Sequence, residues 1–362
     1  MLKFVKIIGK HENRAEFIKE IDNNYLVSGG ADKKLLLYNN DLKILFEIKE
    51  KKCIYNALPY GKNFLKSTQI ITCTSDKLFI SEIDYRLREI NEEMDISNCL
   101  NILELKNNDY MVLGNESLGI ITNLNSKIIY NRKTVLDNKT FKGAIVINEN
   151  EAVFTSNNIL KNGGDVLVFF SMIEKKIKNE IKGYSFVNTV NGLTLIQREK
   201  KDGSILLCAC KKYISGQKNG ILLLNFKEDG KKEFNFYDTN NFEVYCFCPI
   251  SVKKNTYILS DERNKRYYTD YFFVGGFDKD KKRGALKLYQ IENEEANFKI
   301  KNINNIDFED SIVFKNPISC IIQFRNTDNL LIASLDGNIS QFKFDLNYIL
   351  YINSQRRIII NA

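Results

Sequence analysis

Tryptophan is absent from the 362 residues, histidine occurs once and proline 3 times. So little proline leaves no Pro-rich linker to divide the chain. No Gly/Ser spacer or long block of like charge marks a disordered tail either. With His11 as the sole histidine, a Ser or Cys nucleophile has one candidate base, and a metal site would have to be built from scattered cysteines. No Gly-Lys-Ser/Thr phosphate loop is present. The plentiful carboxylates do not recur as a pair suited to glycoside hydrolysis. No catalytic residue, metal or cofactor is therefore expected, and His11 reads as a structural or surface residue. The N-terminal residues Met1-Leu-Lys-Phe-Val-Lys-Ile-Ile8 have lysines among their apolar positions, so they form no signal-peptide core. No apolar run approaches the roughly 20 residues that span a bilayer. A soluble, cytoplasmic chain is expected, without membrane insertion and with the nucleus as the alternative compartment.

Cysteines number 8. Cys208 and Cys210 stand two apart, as do Cys246 and Cys248, a spacing that puts both thiols of a pair on one face of a strand. A zinc ribbon wants two-residue gaps and paired partners. The cysteines read as free, buried thiols of a reducing compartment. The formal charge of +8 invites an anionic partner, but Lys, Asn and Ile are abundant throughout, so much of that charge is background composition.

One short apolar segment recurs. It reads Leu26-Val-Ser-Gly-Gly30, Ile71-Thr-Cys-Thr-Ser75, Met111-Val-Leu-Gly-Asn115, Val153-Phe-Thr-Ser-Asn157, Leu206-Leu-Cys-Ala-Cys210, Phe272-Phe-Val-Gly-Gly276 and Leu331-Ile-Ala-Ser-Leu335. Successive copies start 40 to 66 residues apart, a period near 40 with insertions in later units. An apolar strand precedes a copy, as in Phe17–Ile21 or Ile318–Phe324. A turn and a third strand follow, as in Lys34–Tyr38, Asp165–Phe169, Ala285–Tyr289 or Asn338–Phe342. A more polar fourth strand closes several units, as in Ile44–Ile48 and Lys127–Tyr130. The segments are rich in β-branched and aromatic residues and bounded by Asn, Gly and Asp. A four-stranded unit cannot bury both faces alone, and a ring of seven leaves only the outer strands wet. The expected fold is all-β, a seven-bladed β-propeller occupying residues 1–345, with 346–362 as a C-terminal extension.

These units resemble the WD-repeat family. In Leu26-Val-Ser-Gly-Gly-Ala-Asp-Lys-Lys-Leu-Leu-Leu-Tyr38, Ser28 matches the family's strand hydroxyl and Asp32 its turn aspartate. Tyr38 stands where Trp is usual and Asn39 where Asp is usual. His11 falls one residue from the family's Gly-His position. Ser334, Asp336 and Phe342 match the same roles in the last unit, and Phe169 and Tyr289 take the aromatic position in two others. The resemblance implies that these groups form a hydrogen-bonded structural network within a blade. A Kelch-type propeller is the nearest competitor, on the doublets Gly29-Gly30 and Gly275-Gly276.

What the resemblance implies about function is a non-enzymatic scaffold or adaptor that binds other proteins in a multi-subunit complex. Lys279-Asp-Lys281-Lys282-Arg283 lengthens the turn between second and third strands of the sixth unit, and Lys161 and Lys218 lie in the matching turns of the fourth and fifth. On one face, these loops would dock acidic partners. The alternative is an anion reader that binds RNA or phosphoinositide. A second insertion, Ser251–Asp270, carries Arg263, Lys265, Arg266, Tyr267 and Tyr268, a basic and aromatic mixture able to stack on single-stranded nucleic acid. The Phe-Arg-Arg-Gly motif of phosphoinositide-binding propellers is missing; Arg356-Arg357 lies in the tail. Ring closure remains open between two segments. The alternating Leu2–Ile8 is expected to supply the last unit's fourth strand, and Tyr348–Ile352 is the rival.

Overall fold

The computed structural model describes residues 2–21, 24–60, 68–84, 86–94, 99–105, 109–114, 118–121, 123–124, 127–128, 139–158, 166–174, 176–187, 189–197, 204–212, 218–226, 232–252, 267–294, 297–306, 314–325 and 327–345. The chain is an all-β propeller whose sheets are antiparallel and follow one another along the sequence. The first sheet is Ala15–Glu20, Leu26–Gly30, Lys34–Tyr38 and Ile44–Lys49, in that order from the centre outward. The repeated segment falls in the second strand of every unit, and Leu26–Gly30 is that strand entire.

Strand composition follows from what each face meets. Side chains alternate along a strand, so a strand between two sheets must be apolar on both sides. In the first sheet Ile18, Leu26 and Leu36 pack toward the last sheet, while Phe17, Val27, Leu35 and Leu37 pack toward the second. The same partition recurs around the molecule. Seven apolar clusters lie among the described residues, each formed by two successive sheets, and one joins the last to the first. Ser319 Oγ also crosses that junction, donating to the carbonyl of Ala15 at 2.8 Å.

Complete blades number six among the described residues, where the sequence predicts seven. The third unit is a three-stranded sheet of Cys99–Glu104, Tyr110–Gly114 and Leu118–Ile121. Of its expected fourth strand, Lys127–Tyr130, only Lys127–Ile128 is among the described residues, where it pairs with Asn123–Leu124; 129–138 lie outside them. An outermost strand has a hydrogen-bonding neighbour on one side only, so it is the element that polar sequence defines least.

Leu2–Lys10 runs antiparallel to Asn338–Phe344, with Leu2 opposite Phe344 and Lys10 opposite Asn338. It is the outer strand of the sheet that continues through Asn329–Ser334 to Ile318–Phe324. The rival segment 348–352 lies outside the described residues, as does the whole stretch 346–362.

The cysteine expectation needs correction. Cys73 and Cys99, separated by 26 residues, are paired as a disulfide that links the second sheet to the third. Both sit in the apolar cluster between those sheets, so the contact is made by packing that the spacing of the cysteines does not reveal. Cys208, Cys210, Cys246, Cys248 and Cys320 are buried thiols, and burial raises those of Cys208 and Cys246 well above their ordinary value.

Candidate interaction face

His11 sits at the crossing from the outer strand of the last sheet to the inner strand of the first. Gly9, two residues earlier, brings backbone against the Tyr38 ring; a Cβ there would lie 2.2 Å from the Tyr38 hydroxyl. The backbone N–H of His11 donates to the Gly337 carbonyl at 2.9 Å. Gly337 is left-handed (φ 86°), and any side chain on it would meet the His11 carbonyl. The imidazole then makes two contacts, Nδ1 to Asp32 Oδ1 and Nε2 to Ser28 Oγ, both at 2.9 Å. Ser28 Oγ lies 3.1 Å from the Tyr38 hydroxyl. A carboxylate only accepts, so in the neutral ring Nδ1 carries the proton and Nε2 accepts from Ser28, whose oxygen accepts from Tyr38. Asp32 also accepts the N–H groups of Glu12 at 3.1 Å and Lys34 at 3.2 Å. Burial raises the Tyr38 phenol well above its ordinary value, so it stays a donor.

The order Asp, His, Ser is that of a nucleophilic relay. His11 and Ser28 are, however, 0% exposed, and Ser28 Oγ is occupied on both sides.

The last unit is built differently. Ser334 Oγ donates to Asp336 Oδ1 within one turn, and Asp336 accepts the Asn338 N–H at 3.2 Å. Phe342 has no polar atom to join them and packs against Phe4 and Phe314. Tyr38, Phe169, Tyr289 and Phe342 nonetheless share one role as fully buried aromatic residues of third strands. The second unit has a turn of the same kind: Thr74 Oγ1 donates to Asp76 Oδ1 at 2.9 Å, and Thr74-Ser-Asp76 repeats the offset of Ser334-Leu-Asp336.

Of the expected basic loops, Lys218 and Lys279 come together on one face, at the connection between the fifth and sixth sheets. Asn219 Nδ2 donates to the Asn240 carbonyl at 3.0 Å, and the Lys279 N–H donates to the neighbouring Asn241 carbonyl at 3.0 Å. The face is of mixed charge. Lys218 pairs with Asp238 at 3.0 Å, and Glu243 receives both Lys211 at 2.8 Å and Lys279 at 2.9 Å. Partial burial raises the Glu243 carboxyl, and the two ammonium groups more than offset this, leaving it below its ordinary value. Asp278 Oδ1 accepts the N–H groups of Asp280 and Lys281, both at 3.1 Å, which shapes the hairpin tip. Lys281 and Lys282 are exposed there, and Arg283 begins the following strand. Lys161 lies outside the described residues, as do Arg263, Lys265 and Arg266. Tyr267 and Tyr268 lie on a strand opposite Val252 and Ser251.

The inner strands line a central, open-mouthed cavity of about 430 Å³. Every sheet contributes to its wall, the three-stranded one through Asn101 and Leu103. Lys19, from the first inner strand, lies within it. Loss of water around the ammonium pushes its pKa down to about 8, an effect that nearby Cys320 opposes. Between pH 8 and the ordinary value of 10.5 the unfolded chain therefore holds a proton that the folded chain has released. The cost of this half-buried cation is full below pH 8 and fades as pH rises toward 10.5. Lys19→Met should accordingly melt at a higher temperature than the parent at pH 7, with the gap shrinking through that window. A parent that melts higher at pH 7 contradicts it.

Among the described residues no group of three or more His, Cys, Asp or Glu could hold a metal ion, and no helix is long and apolar enough to cross a membrane. No family model matches the chain, and a search of curated proteins returns no match.

Proposed function

We propose that the chain is a non-enzymatic protein-interaction scaffold, a seven-bladed WD-repeat-like propeller closed by its N-terminal strand. The observation that carries the functional reading is the contrast between a sealed polar network and a fixed, accessible array of charges. The polar groups best suited to chemistry are spent on one another inside the first blade. Lys218, Asp238, Lys279 and Glu243 present paired charges on one face. Such mixed arrays suit protein partners, where electrostatic complementarity sets orientation and selectivity. They suit a phosphate backbone less, because each anion contact would have to displace an internal carboxylate. An acidic segment beside the Lys281–Arg283 tip is the favoured partner chemistry, within a larger assembly.

Two observations support the blade count and family. Seven apolar clusters alternate with the sheets, which supports a ring of seven with the three-stranded unit as its third blade. Asp32, Asp76 and Asp336 organise the turn after the second strand in three units.

The test is quantitative capture from native lysate with mass spectrometry, comparing the parent with Lys281→Glu/Lys282→Glu/Arg283→Glu. The triple variant should still fold, its two exposed lysines contributing at most about 1 kcal/mol each, while losing several-fold of its recovered partners. Unchanged recovery excludes this face, and turnover of a small substrate by the parent overturns the scaffold reading.

A further inference from the structure

The central cavity presents a feature that a docking face does not use. Its volume of about 430 Å³ falls within the range of roughly 300–1,000 Å³ typical of small-molecule sites. Its polar wall is already satisfied. Asn56 donates to Asn101 at 2.6 Å, Asn191 spends its amide on the carbonyls of Glu16 and Ser319, and Gln323 is held by Ser251. Two charged residues line the cavity, Lys19 and Glu20. The Glu20 carboxylate accepts the Arg325 backbone N–H at 2.5 Å. Lys19 differs: among the described residues its ammonium has neither a hydrogen-bond acceptor nor a carboxylate partner. Lys19 is half-buried, and a cation partly withdrawn from water with no acceptor has capacity for an anion. The lining also includes the apolar residues Leu103, Val190, Phe247 and Pro249.

We infer that the central cavity is a binding site for a small carboxylate with a compact apolar body, its head on the Lys19 ammonium and its body against Phe247 and Pro249. Charge count selects a monoanion. Lys19 is the one cationic residue of the lining, so it can compensate a single negative charge, and the second charge of a phosphate dianion would go uncompensated. The lowered pKa of Lys19 fits the same picture, because an arriving carboxylate replaces the water that the ammonium has lost. This site is independent of the proposed docking face and of whether the chain is a scaffold.

Calorimetric titration of the full chain at pH 7 with benzoate and its neutral isostere benzamide tests the inference. Benzoate should bind at least ten-fold more tightly than benzamide. Lys19→Met should abolish that preference, and Lys19→Arg should keep most of it. Benzoate should also protect Lys19 of the parent from reductive dimethylation, read by peptide mass spectrometry, while leaving exposed Lys3 and Lys343 unprotected. That second measurement decides the matter if Lys19→Met does not fold. No binding of benzoate at 10 mM, equal affinity for the two probes, or unchanged labelling of Lys19 overturns the site.

Discussion

Removing residues 1–8 is expected to cost this protein at least about 4 kcal/mol and to cause aggregation. Leu2 and Ile8 are buried, in the clusters that join the last sheet to the sixth and to the first. Each buried aliphatic side chain of this size contributes about 1.5–3 kcal/mol. The deletion also strips five register partners from Asn338–Phe344: those of Leu2, Lys3, Phe4, Lys6 and Ile7. That strand would become an open edge whose unpaired N–H and C=O groups can template pairing with another chain. Urea denaturation and light scattering read both effects. A truncated protein that unfolds at the parent's urea midpoint and stays monomeric shows that the N-terminal strand is dispensable.

Asp32→Ala should be the most damaging single change in the first blade, at about 3 kcal/mol. It leaves the His11 Nδ1–H without an acceptor in a fully buried site and removes the acceptor of two backbone N–H groups in the turn. A buried donor left unmade costs about 1–3 kcal/mol. Tyr38→Phe removes one hydroxyl at the end of the relay and should cost about 1 kcal/mol. In the last unit, Ser334→Ala should also cost about 1 kcal/mol, because that bond lies within a single turn. Equal urea midpoints for Asp32→Ala and Ser334→Ala would mean that the His11 relay carries no more than the local turn.

The propeller was legible because its strands obey a strong rule. A segment such as Leu26–Gly30 faces a packed sheet on either side, so its apolar residues run without interruption and recur in each unit. The outer strands were less legible for the converse reason. Lys127–Tyr130 mixes polar and apolar positions, and only its first two residues are among the described ones, paired with Asn123–Leu124. His11, Ser28, Asp32 and Tyr38 were recognisable through their spacing, and the structure brings the four together. Ser334, Asp336 and Phe342 have similar spacing and a different arrangement, because no histidine stands opposite them. The basic loops were read as cations alone. Asp238 and Glu243, which pair with Lys218 and Lys279, come from neighbouring strands whose approach no local pattern announces. Lys19 is illegible in sequence for a related reason: a lysine on an inner strand looks like any other until the remaining sheets surround it.

The central claim is that the chain's N-terminal strand completes its last blade. Lys3 and Lys343 stand directly opposite each other, and both are exposed. Opposed residues of antiparallel strands have Cα atoms about 4.5–5.5 Å apart, within the range that a disulfide bridges. Lys3→Cys/Lys343→Cys should therefore oxidise within the monomer, and peptide mass spectrometry under non-reducing conditions should find the two tryptic segments joined. The cross-linked protein should also unfold at a higher urea concentration than its reduced form. A folded double variant that forms no such bond, or forms it only between molecules, contradicts the closure.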